Sequence, residues 1–452
     1  MGESATVKKG KFTREEWSWI MYDWANSAFA TIMLAAVFPV FFMAMAGGEG
    51  SLGSAWWGWA GSIRMVIMAV CAPIVGAVIA YRGYKKRLFL NFLAFGILAH
   101  LFIVPWESWP MLLIGYTLAN MFWTAGNIVY DSYLPDVTTK DRMDKVSGWG
   151  FAMGYIGGST IPFIISIILL MSGSLGFIPF SLDLTTAVRI SVVMTALWWG
   201  VFSIPMFKNV HHKHPVDVPE KGVLAGTFKN VAETAKKITK NKGMMFFIIA
   251  FFFYNDGVGA VMTMATAYGM EIGLADVGPL TDGNGMILAL FVTQIVAMPC
   301  SILFGKLANK YSSINLILFA IFVYFLICIT GFVMGFGLER GWFDYTVAMV
   351  LFWTLAFLVG TVQGGIQATS RAVWARIIPP EHSGEYFGFY EISGRLSGFL
   401  GPLLYATILA TTGSASLGII PIGIIFVVGF VLLIVGKKHI NLRPVNEATH
   451  TA

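Results

Sequence analysis

Uninterrupted apolar stretches of about twenty residues, separated by short polar loops, most constrain what this chain can fold into. The stretch from Ile419 to Val435, for example, contains no charged residue. About twenty apolar residues are what a helix needs to cross the hydrocarbon core of a bilayer. Charged residues make up 12% of the chain, half of the roughly 25% usual in soluble domains. The sequence therefore predicts an all-α polytopic membrane protein and excludes an ordinary soluble enzyme.

Apolar runs and helix breakers divide the chain into twelve predicted spans. They lie near 16–46, 54–80, 88–104, 109–133, 146–171, 186–207, 244–270, 284–308, 313–336, 345–376, 386–412 and 417–436. The long polar segment 208–243 separates six spans from six and contains a helix-like stretch, Phe228–Ile238. We therefore expect an N-terminal six-helix bundle in 1–207, a basic linker in 208–243 and a C-terminal six-helix bundle in 244–452.

Charge separates the loops into two classes. Of the 30 Lys and Arg, 26 fall on the side that carries both termini and the linker, which we call the basic face. The opposite loops carry Arg340 and the acidic residues Glu49, Glu107, Asp183, Glu271, Asp276, Asp282, Glu339 and Asp344. Positive residues concentrate in cytoplasmic loops. We therefore expect both termini in the cytoplasm, and the compact loops favour a bacterial cell membrane.

Glycines reveal an internal repeat. Gly148, Gly154 and Gly158 at the start of the fifth span recur with the same spacing as Gly388, Gly394 and Gly398 in the eleventh. Duplicated bundles are typical of secondary transporters, where the solute site lies between the halves. The glycines themselves are predicted to serve close helix packing.

Four stretches resemble the vacuole-effluxer-like branch of the major facilitator superfamily. They are Tyr22–Ala28, Tyr130–Asp136 with Gly154–Gly158, Tyr254–Gly257, and the block from Gln363 through Gly401-Pro402. The second and eighth spans also end like the loop motif of that superfamily, but Ala80 and Asn309 stand where it usually has Asp. The resemblance implies two pseudo-symmetric six-helix bundles and a transporter. The named fungal member of the branch exports amino acids from the vacuole, so the resemblance favours an amino-acid-like solute.

Asp256 is a charged residue deep within a predicted span. It lies thirteen residues after Gly243, which places it about 20 Å along a helix. Charge within a membrane is costly and usually faces a cavity or a partner. With Asn255 and Gly257 beside it, we expect a helix break that exposes backbone groups to a cavity and a role in substrate binding or coupling. The alternative is a hydrogen-bonded structural group.

Three further charged residues within spans lead to two hypotheses each. Arg64 has no acidic residue on its own helix, so its partner is either an acid on another span or an anionic substrate group held by a bidentate fork. Glu391 and Arg395 are spaced i, i+4, so they either contact the solute or pair with each other.

A gate is predicted where the spans meet the basic face. Asp23 and Asp131 lie near that end and are expected to pair with Arg371 or Arg376, breaking and forming as the halves move. Asp23, with Asn26 on nearly the same face, is also a candidate for substrate binding or coupling. Gln363 and Gln367, one turn apart in the tenth span, add neutral hydrogen-bonding groups.

Together these features favour a secondary transporter that moves a small polar or zwitterionic solute by alternating access. Titratable acids in the spans favour proton coupling, by symport or antiport, and the absence of a P-loop motif argues against an ATP-driven pump. A lipid or lysolipid translocator is the alternative, whereas a membrane enzyme lacks a recognisable catalytic pattern. We expect no cofactor, no nucleic-acid partner and a monomer. His211, His212 and His214 are interpreted as a solvated loop rather than a metal site.

Overall fold

The computed structural model describes residues 11–48, 51–172, 181–218, 222–274, 284–396 and 398–440, which are almost entirely helical. Glu49, Asp276 and Asp282 lie outside these residues. The α-helices are α1 (Arg14–Phe29), α2 (Val37–Met45), α3 (Leu52–Ile79), α4 (Tyr84–Phe102), α5 (Trp109–Ser132), α6 (Leu134–Val137), α7 (Met143–Gly154), α8 (Ile161–Leu170), α9 (Leu184–Asn209), α10 (Val223–Lys240), α11 (Lys242–Glu271), α12 (Asn284–Tyr311), α13 (Ser313–Glu339), α14 (Tyr345–Ile377), α15 (Ser383–Leu396), α16 (Leu400–Thr412) and α17 (Ala415–Lys437).

The predicted spans all fall on helices or on consecutive helical segments. Nine stretches of the described residues are long and apolar enough to cross a membrane. The other three predicted spans correspond to α4, α5 and the pair α15–α16, so the count of twelve stays a prediction. Large apolar side chains such as Val66, Leu197 and Ile424 are exposed along these helices, as expected of a lipid-facing surface.

Polar residues at the loop boundaries fix where several helices begin. Thr13 and Glu16 form a reciprocal capping box at the start of α1. The side chains of Asp183, Asn241 and Asp344 cap α9, α11 and α14 in the same position. The short polar loops therefore both connect the spans and satisfy their first backbone N–H groups.

Two predicted spans change their helical hydrogen-bond pattern part of the way along, and a third is interrupted. The first contains a π-helical stretch, Ala30–Ala36, and the fifth contains another, Tyr155–Thr160, and the two stretches contact each other. The eleventh predicted span is not one helix, because α15 ends at Leu396 and α16 begins at Leu400. Gly398 between them has a φ of +90°, a conformation that glycine adopts without steric cost.

Helices before and after the linker pack on their own side and meet at two seams. We call these two sets of helices the halves; within them α1 packs on α9 and α11 packs on α17. The first seam joins α3 to α15, and the second joins α7 to α12 and α14. Most of the inter-half packing therefore involves a small number of helices.

Glycines of the internal repeat lie at equivalent places in the two seams. A Cβ on Gly388 would lie 2.6 Å from the carbonyl oxygen of Ala72, and one on Gly148 would lie 2.7 Å from that of Ser301. A Cβ on Gly305 would likewise lie 2.8 Å from the carbonyl oxygen of Asp144. Only glycine permits such backbone contact, so the structure gives these residues the packing role expected from the sequence.

Candidate functional site

A buried arginine near the basic face joins the two halves. Arg371 on α14 places Nη1 2.9 Å from Oδ1 of Asp131 on α5, and Nη2 3.1 Å from Oδ2 of Asp23 on α1. Its Nε donates to the hydroxyl of Ser147 on α7 at 2.9 Å. One guanidinium therefore connects three helices of the N-terminal half to α14. We call Asp23, Asp131, Ser147 and Arg371 the gate cluster.

Aromatic rings enclose the gate cluster. The guanidinium carbon of Arg371 lies 4.6 Å from the ring centroids of both Trp19 and Phe151, and only 4% of Arg371 is exposed. The hydroxyl of Tyr130 donates to Oδ2 of Asp23 at 2.7 Å. Cation–π contact and exclusion of water both strengthen the attraction between these charges. The gate cluster is thus closely packed and buried between the halves.

The absence of a side chain at Gly150 makes room for the gate cluster. A Cβ at that position would clash with Oδ2 of Asp23 and would lie 3.0 Å from Nη2 of Arg371. Gly150 lies on α7, one turn beyond Ser147. Gly150 does not belong to the repeated glycine pattern, so nothing in the sequence singles it out.

Arg376 does not join the gate cluster, contrary to one of the two predicted pairings. Its guanidinium pairs instead with Asp144 at the start of α7, and Nη1 donates to the hydroxyl of Ser313 at 3.2 Å. Arg376 is five residues beyond Arg371, so it projects from α14 in a different direction and closer to the basic face. It forms a third inter-half ion pair, with a partner that the sequence did not indicate.

Tyr155 packs against α14 about two turns before Arg371. It belongs to the N-terminal half, but its ring lies against Gly364 of α14 and its phenol against Gln363. Gln363 is buried, whereas Gln367 is partly exposed and has its Nε2 4.0 Å from the sulfur of Met262. The two glutamines, although one turn apart, therefore have different surroundings.

Asp256 caps a helix from a distance. It is fully buried, and its two carboxylate oxygens accept backbone N–H groups of Gly398, Leu400 and Gly401, the last two at 3.1 and 2.6 Å. These donors are the free N–H groups at the start of α16. This geometry corresponds to the alternative given for Asp256 in the sequence analysis, a hydrogen-bonded structural group.

The predicted helix break beside Asp256 is wrong. α11 runs unbroken from Lys242 to Glu271. Gly257 faces the ring of Phe426 and Gly259 faces the backbone of Gly398, so both glycines accommodate neighbouring groups without interrupting the helix. The break lies in the adjacent span, at the start of α16, which Asp256 caps.

Arg64 and Asn26 lie in separate polar contacts with α5. Nη1 of Arg64 donates to Oδ1 of Asn120 at 2.5 Å, and the Arg64 side chain is partly exposed. Nδ2 of Asn26 donates to Oδ1 of Asn127 at 2.8 Å. The amide partner of Arg64 was not among the partners expected from the sequence, which considered only anions.

The remaining candidates lie on α11 and α15. Asn255 is partly exposed, and Glu391 is buried within electrostatic range of Asp131. The side chain of Arg395 lies outside the described residues, so its predicted pairing with Glu391 stays a prediction. Glu391 is thus the candidate from this group that the structure brings near the gate cluster.

A second buried ion pair was not identified from the sequence. Nζ of Lys85 lies 2.7 Å from Oδ2 of Asp136 and 3.4 Å from the hydroxyl of Ser383 across the first seam. Lys85 is one of the basic residues of the basic face, and Asp136 ends the Tyr130–Asp136 stretch. Nothing local indicates that the two residues meet, because they are 51 positions apart.

The histidines of the linker show no metal-site geometry within the described residues. No group of three or more potential ligands is found there. Burial lowers the pKa of His212 to about 4, so this ring is neutral at physiological pH. The surroundings of His211 are those of a loop contact, with Nδ1 3.7 Å from Glu15.

Comparison with known proteins identifies the family to which this chain belongs. A model of the family described as "Vacuole effluxer Atg22 like" matches residues 59–439. The chain is 39% identical over 428 residues to the uncharacterized MFS-type transporter YxiO of Bacillus subtilis, covering 94% of this chain and 95% of that protein. It is 24% identical over 337 residues to autophagy-related protein 22 of Saccharomyces cerevisiae, covering 64% of this chain and 59% of the yeast protein.

Solved structures of major facilitator transporters share the fold. The human organic anion transporter MFSD10 aligns with a TM-score of 0.66 at 13% identity, covering 93% of this chain and 99% of that one. FucP in its outward conformation aligns with a TM-score of 0.68 at 10% identity, covering 94% and 98%. The chain therefore has the major facilitator fold.

Proposed function

Because this chain belongs to the vacuole effluxer Atg22-like family of major facilitator transporters, we propose that it moves an amino-acid-like zwitterion by proton-coupled alternating access. Its relatives are transporters rather than enzymes, and the chain is an integral-membrane secondary transporter. The identity of the solute and the coupling to protons are our proposals. They rest on the gate cluster and on two further charged residues, Arg64 and Glu391.

The gate cluster is the observation that carries the alternating-access proposal. Among the described residues, every ion pair between the halves lies near the basic face: Arg371 with Asp23, Arg371 with Asp131, and Arg376 with Asp144. Such pairs must break for a solute to pass between the halves toward that face. They supply the reversible closure that an alternating-access cycle needs.

The charge balance of the gate cluster supports proton coupling. It contains one guanidinium and two carboxylates, so it is formally −1 when both acids are ionised. A single proton neutralises it, and this favours closure in a site from which water is excluded. When Arg371 withdraws, Asp23 and Asp131 lose their shared cation and compete for a new one. A proton or the ammonium group of a solute meets that need.

Arg64 supports a carboxylate-bearing solute. Nη1 of its guanidinium donates to Asn120, and the Arg64 side chain is partly exposed. Arg64 lies eight residues before Ala72, where α3 crosses α15, so it is about 12 Å from the crossing and away from the basic face. Glu391 lies three residues beyond Gly388 at the same crossing, about 4.5 Å along α15 in the same direction. A cation and an anion at these positions match the two charges of an amino acid.

Binding of matched ligands tests this assignment. We expect an amino-acid substrate, found by thermal stabilisation across a panel of amino acids, sugars, nucleosides and lysolipids, to bind Arg64→Lys at least about tenfold more weakly, because lysine loses the fork. Arg189→Lys is the matched control, since Arg189 lies near the opposite face and contacts Glu107. Unchanged selectivity for the acid over its amide in Arg64→Ala excludes Arg64 as the carboxylate anchor. Stabilisation by lysolipids alone favours the lipid translocator.

Transport in proteoliposomes tests proton coupling. We expect Asp131→Asn to retain exchange of labelled solute across the membrane but to lose accumulation driven by a pH gradient. Asp217→Asn, which removes an exposed acid on the linker, is the control. Full gradient-driven accumulation in Asp131→Asn and in Asp23→Asn would remove these two carboxylates from the coupling mechanism.

We also propose that the basic face is cytoplasmic in a bacterial cell membrane and that the transporter works as a monomer. Cysteines introduced singly at Lys213 and Arg340 are expected to react with a membrane-impermeant reagent from opposite sides of oriented vesicles. Labelling of both positions from one side contradicts the proposed topology.

A further inference from the structure

The segment between the halves is bonded to the N-terminal half at several points. Val216 pairs with the end of α3, donating to the carbonyl of Ala80 at 2.9 Å and accepting from the N–H of Arg82 at 2.8 Å. The backbone N–H groups of Lys213 and His214 donate to Oδ1 of Asp136 at 2.9 and 3.2 Å. The linker is therefore not a loose tether on this side.

The α10 helix of the same segment is bonded to the C-terminal half through Glu385. This residue lies in the first turn of α15 and is only 2% exposed. Its carboxylate accepts the hydroxyl of Thr234 and, at 3.3 Å, Nδ2 of Asn230, both on α10. His382, just before α15, lies 3.0 Å away through Nδ1. A buried carboxylate is costly without such partners, so these contacts matter to its stability.

Asn230 connects the two halves directly. Its Nδ2 also lies 3.2 Å from the hydroxyl of Tyr81, which follows α3. Tyr81 and Glu385 flank the first seam, where a Cβ on Gly384 would lie 2.5 Å from the carbonyl oxygen of Gly76. If α3 and α15 separate, Asn230 cannot keep both partners.

We propose that α10 is an inter-half latch, in which Asn230 and Thr234 hold Glu385 against the Tyr81 end of α3 and stabilise the state with the basic face closed. This inference rests on the proposed alternating access, because it assigns the linker a role in the equilibrium between closed and open states. The latch lies on the first seam, whereas the ion pairs of Arg371 and Arg376 are made by α14, which belongs to the second seam. Its failure therefore opens the basic face without removing any gate charge.

A distance measurement between the halves tests the latch directly. Spin labels are placed on cysteines at Lys86 in α4 and Lys310 in α12, both exposed on the basic face, after Cys71, Cys300 and Cys328 are replaced by alanine. We expect the combined change Asn230→Ala and Thr234→Val to raise the ratio of the long-distance to the short-distance population about tenfold, the effect of losing a hydrogen bond to a charged group. The matched control is Thr239→Val, because the Thr239 hydroxyl bonds only its own helix, at the carbonyl of Lys236, among the described residues.

The outcomes separate the latch from the proposed function. An unchanged distance distribution in a folded, monodisperse double variant overturns the latch, whether or not a transported solute has been found. Absence of transport for every solute in the panel counts against the proposed function and leaves the distance result intact. If the double variant does not fold, the latch is tested by the opposite change, a covalent bond that holds α10 to α15. A disulfide between Thr234→Cys and Glu385→Cys, in protein whose spin labels are attached through thioether bonds that a reductant does not cleave, is expected to abolish the long-distance population until a reductant is added. Persistence of the long-distance population in the oxidised protein refutes the proposal.

Discussion

Nη1 of Arg371 lies 2.9 Å from Oδ1 of Asp131, although the two residues are 240 positions apart and belong to different halves. The same guanidinium holds Asp23 from a third helix. Replacing a cation in such a site leaves two carboxylates without a partner in a space from which water is excluded. The stability of the closed arrangement therefore depends on Arg371 more than on any exposed ion pair.

We expect Arg371→Ala to destabilise the protein by about 3–5 kcal/mol, the cost of leaving a buried charge unpaired. Thermal unfolding in detergent measures this. Adding Asp131→Asn to Arg371→Ala is expected to recover part of the loss, since one of the stranded charges is then removed. Arg82→Ala is the control: its pair with Asp217 is exposed, so it should change stability by less than about 1 kcal/mol. A similar loss in both single variants contradicts the special role of the buried cluster.

Gly150→Ala tests how tightly the gate cluster is packed. The added methyl group would clash with Asp23 and lie 3.0 Å from Arg371, and overpacking of this kind costs about 1–3 kcal/mol. We expect a lower melting temperature and a larger open population in the Lys86–Lys310 distance measurement. Gly58→Ala on α3 serves as the control, because a Cβ there meets nothing within 4 Å. Equal behaviour of the two variants would show that the cluster tolerates displacement.

Asp256→Asn distinguishes a helix cap from a coupling site. Both carboxylate oxygens of Asp256 accept N–H groups, so the Nδ2 of asparagine would face a donor, with an expected loss of about 1–3 kcal/mol. Asp344→Asn is the control, because it caps α14 through one oxygen and asparagine caps helices as well as aspartate. A variant that keeps its melting temperature but loses pH-driven accumulation instead assigns Asp256 to coupling.

The latch is expected to depend on pH through His382. The hydrogen bond to Glu385 raises the pKa of this histidine, and Glu381 and Lys237 are the other charged groups that face it. A raised histidine pKa means that its stabilising effect is complete below about pH 6.5 and is lost as the pH rises through the folded-state value. We therefore expect the open population to increase as the pH rises above about 6.5, the ordinary pKa of histidine. His382→Gln should abolish most of that change; a full pH response in this variant points to another titrating group.

The spans could be predicted because their information is local. A run of apolar residues between polar loops is visible in a short window, and the helices follow those runs closely. The π-helical stretches at Ala30–Ala36 and Tyr155–Thr160 were not predicted, since a change in hydrogen-bond register leaves the apolar pattern intact. The break before α16 was placed in the wrong helix for a related reason. Gly257 and Gly398 look alike in sequence, and only their neighbours decide which one interrupts a helix.

The charged contacts were harder to predict because their partners are remote. The sequence brought Arg371, Asp23 and Asp131 to one end of the molecule, and this narrowed the possible pairings. It did not show that Arg376 meets Asp144, since that choice depends on how far α7 and α14 overlap. The partners of Asp256 are backbone N–H groups, which every residue except proline possesses. No side-chain pattern therefore signals such a site.

All three ion pairs that join the halves in the described residues depend on one helix, because Arg371 and Arg376 both belong to α14. A stiff helix cannot move one of these arginines far without moving the other. Rupture of the pairs is therefore cooperative, and conformations with one pair broken and the others intact are scarce. Observed one molecule at a time, the basic face should switch between two levels in abrupt steps rather than drift through a continuum.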